Sequence, residues 1–243
     1  MGAVAVLNLR SLAGGRILRG SQPFGMDTAA TAAFLELHGI QAVVDLRSGF
    51  ERAIVPWQLG NGSGLKNAEP NAAVPNHEVE LVENPLDPRT ASDGLQSIHT
   101  AEDLGELYLG WVRARPDWVA ESLRPAARGK RTLIHCSLGK DRTGVVSAMA
   151  LLATDTERAA VVADYAASTA ALPTMLATMA AAWRSAVPEV PEESFSPSLM
   201  LLQSPEAAME YFLDRFGHEF GSAADYLRDA GLSGSELDGL RRR

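Results

Sequence analysis

Ten residues, His135-Cys136-Ser137-Leu138-Gly139-Lys140-Asp141-Arg142-Thr143-Gly144, stand between a short β-prone apolar run, Arg131-Thr132-Leu133-Ile134, and an alanine-rich apolar segment from Val145 to Leu152. Branched residues suit a pleated strand, whereas alanine and leucine suit a helix. The decapeptide is therefore expected as a loop joining a buried strand to a helix N-terminus. A helix start presents backbone N–H groups without partners inside the helix, together with the positive end of its dipole. A loop placed there is suited to hold an oxyanion.

Cys136 is the only cysteine of the chain, and five residues separate it from Arg142. A loop curling back over that distance sets the guanidinium beside the sulfur, with the intervening N–H groups turned inward as a nest. Ser137, Leu138, Gly139, Lys140, Asp141, Arg142 and Thr143 are then the expected cradle for a phosphate dianion, the arginine fork matching the plane of its oxygens. Lys140 is expected to add a cation at the pocket floor. These surroundings favour a thiolate at Cys136. Thr143 can donate its hydroxyl hydrogen to that thiolate as it leaves. His135 is expected to order the loop backbone from beneath and not to serve as a base. A nucleotide-binding P-loop is excluded, because Gly139-Lys140 is followed by Asp141 where Ser or Thr is needed, and Ile134 holds the place of the first glycine. The plain alternative is a lone buried cysteine next to a Gly-Lys turn. Histidine, two glycines, arginine and threonine gathered at one strand-to-helix junction argue against it.

The decapeptide resembles the phosphate-binding loop of cysteine-dependent phosphatases, and its Gly-Lys-Asp-Arg-Thr-Gly ending is similar to that of the bacterial tyrosine and lipid phosphatase family. Five further stretches resemble that family in the same order: Asn8-Leu9-Arg10, Ile17-Leu18-Arg19-Gly20-Ser21, Val43-Val44-Asp45-Leu46-Arg47-Ser48 with Glu51 behind it, Val162-Ala163-Asp164-Tyr165, and Asp225 to Leu232. The resemblance spans nearly the whole chain. It implies phosphate-ester hydrolysis with Cys136 as nucleophile and Arg142 binding the substrate and its transition state. It associates Lys140-Asp141 with tolerance of phosphotyrosine, phosphoserine or phosphoinositides. It also implies a supporting role for Asp45 and Arg47, and a lid drawn from the interval Pro85 to Trp111. Asp45 and Arg47 are independently expected as a structural ion pair at the carboxyl end of a strand.

A phosphate ester needs an acid to protonate its departing oxygen. Asp87, in Glu83-Asn84-Pro85-Leu86-Asp87-Pro88, is the candidate by position, and Asp141 in the loop itself is the competitor. A small-metabolite phosphatase is the alternative function, and a non-catalytic phosphate-binding module is the alternative of another class.

Around this site the apolar run Gln41 to Leu46 reads as a second buried strand, fed directly by a helix from Asp27 or Thr28 to His38. His77 to Val82 alternates as a half-buried strand, and Trp57 to Asn76 reads as an exposed loop. Helices are expected over 101–113, 117–127, 156–168, 173–186 and from Ser204-Pro205 onward. The expected architecture is α/β: one domain over 1–243, a mainly parallel central sheet with helices on both faces, cysteine-phosphatase-like, with 85–111 as a helical lid insertion. A net charge of −8 gives no global attraction for nucleic acid or an anionic membrane. No disulfide within the chain or multi-cysteine metal site can form from one cysteine, and the chemistry calls for no metal or other cofactor. No bilayer-spanning stretch and no cleaved signal peptide are expected. The expected location is therefore cytoplasmic, with secretion lacking a cleaved signal as the variant the resemblance suggests, and the partner is a phosphorylated substrate.

Overall fold

In the computed structural model, residues 6–12, 14–59, 79–88 and 97–242 are described. Five strands, β1 (Arg10–Ser11), β2 (Ile17–Gly20), β3 (Ala42–Asp45), β4 (Glu80–Glu83) and β5 (Thr132–His135), form one sheet in the order β1-β2-β5-β3-β4. Pairing is parallel throughout, except that β1 returns antiparallel on β2. Every residue of β2, β3 and β5 is buried, as expected of parallel strands covered on both faces.

Alternation along each strand sorts the side chains into two cores. Leu18, Val43 and Leu133 face α1 (Thr28–Leu37), which contributes Phe34 and Leu35. Ile17, Val44 and Ile134 face a much thicker layer. After α2 (Gly49–Ile54), which lies near the cleft, that layer is made of α3 (Ala101–Ala114), α4 (Pro116–Ala127), α5 (Asp141–Ala153) and α6 (Arg158–Ala166). Beyond α7 (Leu172–Ala186) it is completed by α8 (Glu206–Phe220), α9 (Ala223–Asp229) and α10 (Gly234–Arg241). The fold is thus mixed α/β with a mostly parallel sheet between helices.

Register sets the site. Gly20 and Asp45 both pair with His135, so the carboxyl ends of the three central strands finish level. That edge is where open α/β sheets bind ligands.

Several expectations are corrected. Helix α5 begins at Asp141 and not at Val145, so Asp141, Arg142, Thr143 and Gly144 form its first turn. The acidic side chain of Asp141 suits the positive end of the helix. Gly144 is there for packing: a Cβ would lie 3.1 Å from the Tyr165 ring. Strand β4 runs from Glu80 to Glu83, while His77 and the stretch before it, from residue 60 onward, lie outside the described residues. Ser204 does not cap α8; its hydroxyl donates to Tyr165 O instead, and Pro205 takes the cap position.

The interval expected as a lid is described only in part. Helix α3, in the second half of 85–111, has Leu104, Tyr108, Leu109 and Trp111 buried and packs along α8, so it belongs to the core. Residues 89–96 lie outside the described residues. Contrary to the expectation of no span, the run Arg158–Ala186 is by length and composition apolar enough to cross a membrane. It is a succession of α6, a 3-10 stretch (Ala167–Ala171) and α7, and Asp164 within it is paired with Arg10 and Arg19 of the protein body.

Candidate active site

The loop from Cys136 to Lys140 joins β5 to α5 and closes over the level strand ends. Gly139 allows this, with φ +67 and no room for a side chain: a Cβ would sit 2.1 Å from Gly20 O. Cys136 lines a cleft of about 390 Å³ together with Ser137, Leu138, Asp141 and Arg142. The apolar part of its lining is made of Trp111, Met179, Trp183, Phe195, Leu201 and Leu202. Among the described residues the cleft is thus lined by Pro88 and Trp111 of the interval 85–111 and by residues of α7 and of the 3-10 stretches Glu192–Phe195 and Met200–Leu202.

Arg142 is 5% exposed and its fork is taken by Glu51, with Nη1 to Oε2 at 2.8 Å and Nη2 to Oε1 at 2.6 Å. Nη1 also donates to Leu46 O and Leu86 O. Glu51 sits at the third position of α2, where it closes a capping box with Ser48, and its Oε1 accepts the Ser137 hydroxyl. Burial works to raise the Glu51 carboxyl, but the charge and hydrogen bonds of Arg142, helped by Ser137, hold it well below the usual carboxylate range. Burial likewise opposes the charge on Arg142, yet Glu51 and then Cys136 keep the guanidinium above its ordinary value.

Beneath the loop, His135 is fully buried. Trp57 Nε1–H donates to its Nε2 at 2.8 Å, which leaves the proton on Nδ1, 3.0 Å from Cys136 O. Burial, the largest cause, pushes His135 down from 6.5 to about 4 against the pull of Asp45. The ring is neutral at physiological pH and holds the first loop carbonyl. Asp45 and Arg47 are paired through both carboxylate oxygens at 2.9 and 2.7 Å, and Arg47 also reaches Gln22 Oε1 and Val55 O. Burial would raise the Asp45 carboxyl, but neighbouring His135 and Arg47 bring it below its ordinary value.

Two loop residues are placed otherwise than expected. Lys140 does not line the cleft: its ammonium is buried, bonded to Asp141 Oδ1 at 2.5 Å and Gln203 O at 2.6 Å. Its charge is paired with Asp141 and also acts on Cys136. The Thr143 hydroxyl is buried without a hydrogen-bond partner among the described residues, so it is not bonded to the sulfur. Of the two acid candidates, Asp141 lines the cleft, whereas Asp87 is half-buried between Leu86, whose carbonyl meets Arg142, and Pro88, which lines the cleft. Tyr108 donates to the same oxygen of Asp141 and meets the Tyr165 hydroxyl at 2.8 Å.

Glu51, Trp57 and Tyr108 were given no role by sequence reasoning. Only Glu51 left a local signal, the Ser-x-x-Glu capping pattern of Ser48 to Glu51. Among the described residues no group of three or more His, Cys, Asp or Glu side chains could hold a metal ion. Positive charge at the cleft comes from Arg142 and the start of α5.

Comparison with known proteins agrees with this chemistry. The chain is 27% identical to the triple specificity protein phosphatase PtpB of Mycobacterium tuberculosis, covering 93% of this chain and 90% of that protein. Among solved structures it is similar to the core catalytic domain of the PP-IP phosphatase SIW14 from S. cerevisiae (TM-score 0.41, 12% identity, 90% of this chain and 95% of that one). It is also similar to TpbA of P. aeruginosa (TM-score 0.36, 16% identity, 97% and 89%). The family model described as the tyrosine phosphatase family matches residues 1–243. The chain belongs to the tyrosine phosphatase family, and it is a phosphatase, a hydrolase of phosphate esters.

Proposed function

We propose that this phosphatase works through a phosphocysteine intermediate and that its preferred substrates are aryl phosphates of the phosphotyrosine kind. The carrying observation is that one cleft is lined both by Cys136 and Arg142 and by Trp111, Trp183 and Phe195. An aromatic ring gains from that wall by burial and edge contacts, whereas a polyhydroxylated metabolite finds few polar partners there.

In the proposed cycle the Cys136 thiolate attacks phosphorus, a P–S bond forms, and the ester P–O bond breaks. Arg142 and the loop amides hold the equatorial oxygens as charge spreads over them. Asp87, next to the cleft-lining Pro88, is assigned the proton for the leaving oxygen by its position in the chain, with Asp141 as the competing donor. Water then attacks the phosphocysteine, passes its proton to the Asp87 carboxylate, and releases phosphate and the thiolate. Asp141, with one oxygen already engaged by Tyr108 and Lys140, is proposed to orient that water.

Steady-state rates on phosphotyrosyl and phosphoseryl peptides, inositol phosphates and nucleotides test the substrate class. The phosphotyrosyl peptide should lead in kcat/KM by about tenfold, and Trp183→Ala should erase most of that lead. A faster inositol phosphate or nucleotide would overturn the preference. Undiminished turnover by Cys136→Ser would remove the mechanism itself. The acid assignment predicts that Asp87→Asn harms alkyl phosphates far more than p-nitrophenyl phosphate, whose leaving group needs no proton.

A further inference from the structure

We infer that Asn8 and Arg19 are positioning residues of the oxyanion cradle, holding the carbonyls of the phosphate loop outward so that its amides face the cleft. The inference rests on the phosphatase reading of that cleft and deepens it. A trans peptide points its C=O and the following N–H in opposite directions, so whatever fixes a carbonyl also fixes the next amide. Asn8 Nδ2 donates to Leu138 O and Gly139 O, each at 3.3 Å. Arg19 Nη2 donates to Gly139 O at 2.8 Å and Lys140 O at 3.3 Å. The amides turned the other way are those of Gly139, Lys140 and Asp141. Among the described residues none of the three donates to a protein acceptor.

The orientation of both holders is itself fixed. Arg10 donates to Asn8 Oδ1 at 2.5 Å, which leaves the amide NH₂ of Asn8 for the loop. Asn8 stands at φ +55, a left-handed conformation that asparagine and aspartate tolerate better than most residues. Arg19 is fully buried, and Asp164 pairs with it and with Arg10 together. A buried arginine aimed at two carbonyls has no easy alternative set of acceptors. These contacts cross more than a hundred residues of sequence, and they give a shared purpose to Asn8-Leu9-Arg10, Arg19-Gly20-Ser21 and Asp164.

Two variants test this. Asn8→Asp keeps the shape, the tolerated backbone and the Arg10 contact, but sets an oxygen against the two loop carbonyls. Arg19→Lys keeps a charge opposite Asp164 but cannot span Gly139 O and Lys140 O. In each, the inhibition constants for vanadate and inorganic phosphate should rise about tenfold, and kcat/KM on p-nitrophenyl phosphate should fall by about the same factor. The fraction of molecules whose Cys136 is labelled by iodoacetate should stay as in the wild type. A merely structural role would instead lower the melting temperature and the active fraction while leaving the phosphate constant of the surviving enzyme unchanged. The variants are read independently, so one that fails to fold leaves the other decisive. Wild-type phosphate and vanadate constants in a folded variant would overturn its assignment. A wild-type protein that hydrolyses phosphate esters but binds neither anion at Cys136 would instead sink the underlying reading of the cleft.

Discussion

Two arginine–carboxylate pairs flank the end of β3, alike in geometry and unlike in access. Arg47 and Asp45 are at most 1% exposed, and the donors of Arg47 left over from Asp45 are taken up by Gln22 and Val55. Arg142 grips Glu51 just as squarely, yet both line the cleft beside Cys136. The first pair is closed to solutes. The second holds its guanidinium where an incoming phosphate must share it with Glu51. Burial and a bidentate bond are therefore common to a brace and to a candidate catalytic arginine, and what separates them is a path to the sulfur.

Four experiments would break or sharpen that contrast. Arg142→Lys keeps the charge but loses the fork, and kcat/KM on p-nitrophenyl phosphate should fall about a thousandfold with little change in melting temperature. Asp45→Asn should do the reverse. It leaves Arg47 as an uncompensated buried cation, so denaturant unfolding should show a loss of about 3–5 kcal/mol, with turnover per folded molecule kept within a few-fold. An Asp45→Asn protein of normal stability and lost turnover would invert the comparison.

Acidity should act first on the braced side, through His135. Its pKa is about 4 in the folded protein against an ordinary 6.5, so the unfolded chain takes up this proton earlier as pH falls. The protein keeps its full stability above 6.5 and loses it as pH drops through that window, the loss reaching about 3 kcal/mol near pH 4. Urea midpoints at several pH values should fall accordingly, and His135→Gln should flatten the curve between 6.5 and 4. Glu51 and Asp45, both held low, contribute stability above the ordinary carboxylate range that is lost only at still lower pH. The smallest effect is expected of Glu51→Gln. Removing its charge should lower KM about threefold by easing competition for the anion, and loosening Arg142 should lower kcat about tenfold. Unchanged values of both would reduce Glu51 to a wall of the cleft.

Much of this was legible in the sequence because it is local. The strands over 42–45 and 132–135 are β-prone, centred on apolar residues and ending in polar ones, and the loop after the second carries its own spacing. The pairing of Asp45 with Arg47 needs only two residues of separation. Glu51 is different: its partner in the cleft lies 91 residues away, and nothing near Ser48 announces an arginine. Trp57 and His135, and Tyr108 and Asp141, are likewise joined only by the fold. The start of α5 was misplaced because Gly144 looks like loop, whereas the ring of Tyr165 explains it. Helix α3 carries a stripe of Leu104, Leu107, Tyr108 and Trp111, and α7, whose Met179 and Trp183 line the cleft with Cys136, carries the same kind of stripe. Periodicity tells that a helix buries one face. It does not tell against what.

The contact of Gly139 with Gly20 has a consequence for rate. With backbone seated on backbone, the loop has little room to sag or tighten, so its dipoles stand ready before any ester arrives and need little rearrangement as charge migrates in the transition state. One methyl group at residue 139 would wedge the loop off β2 and spoil that readiness without touching a single group that meets phosphate.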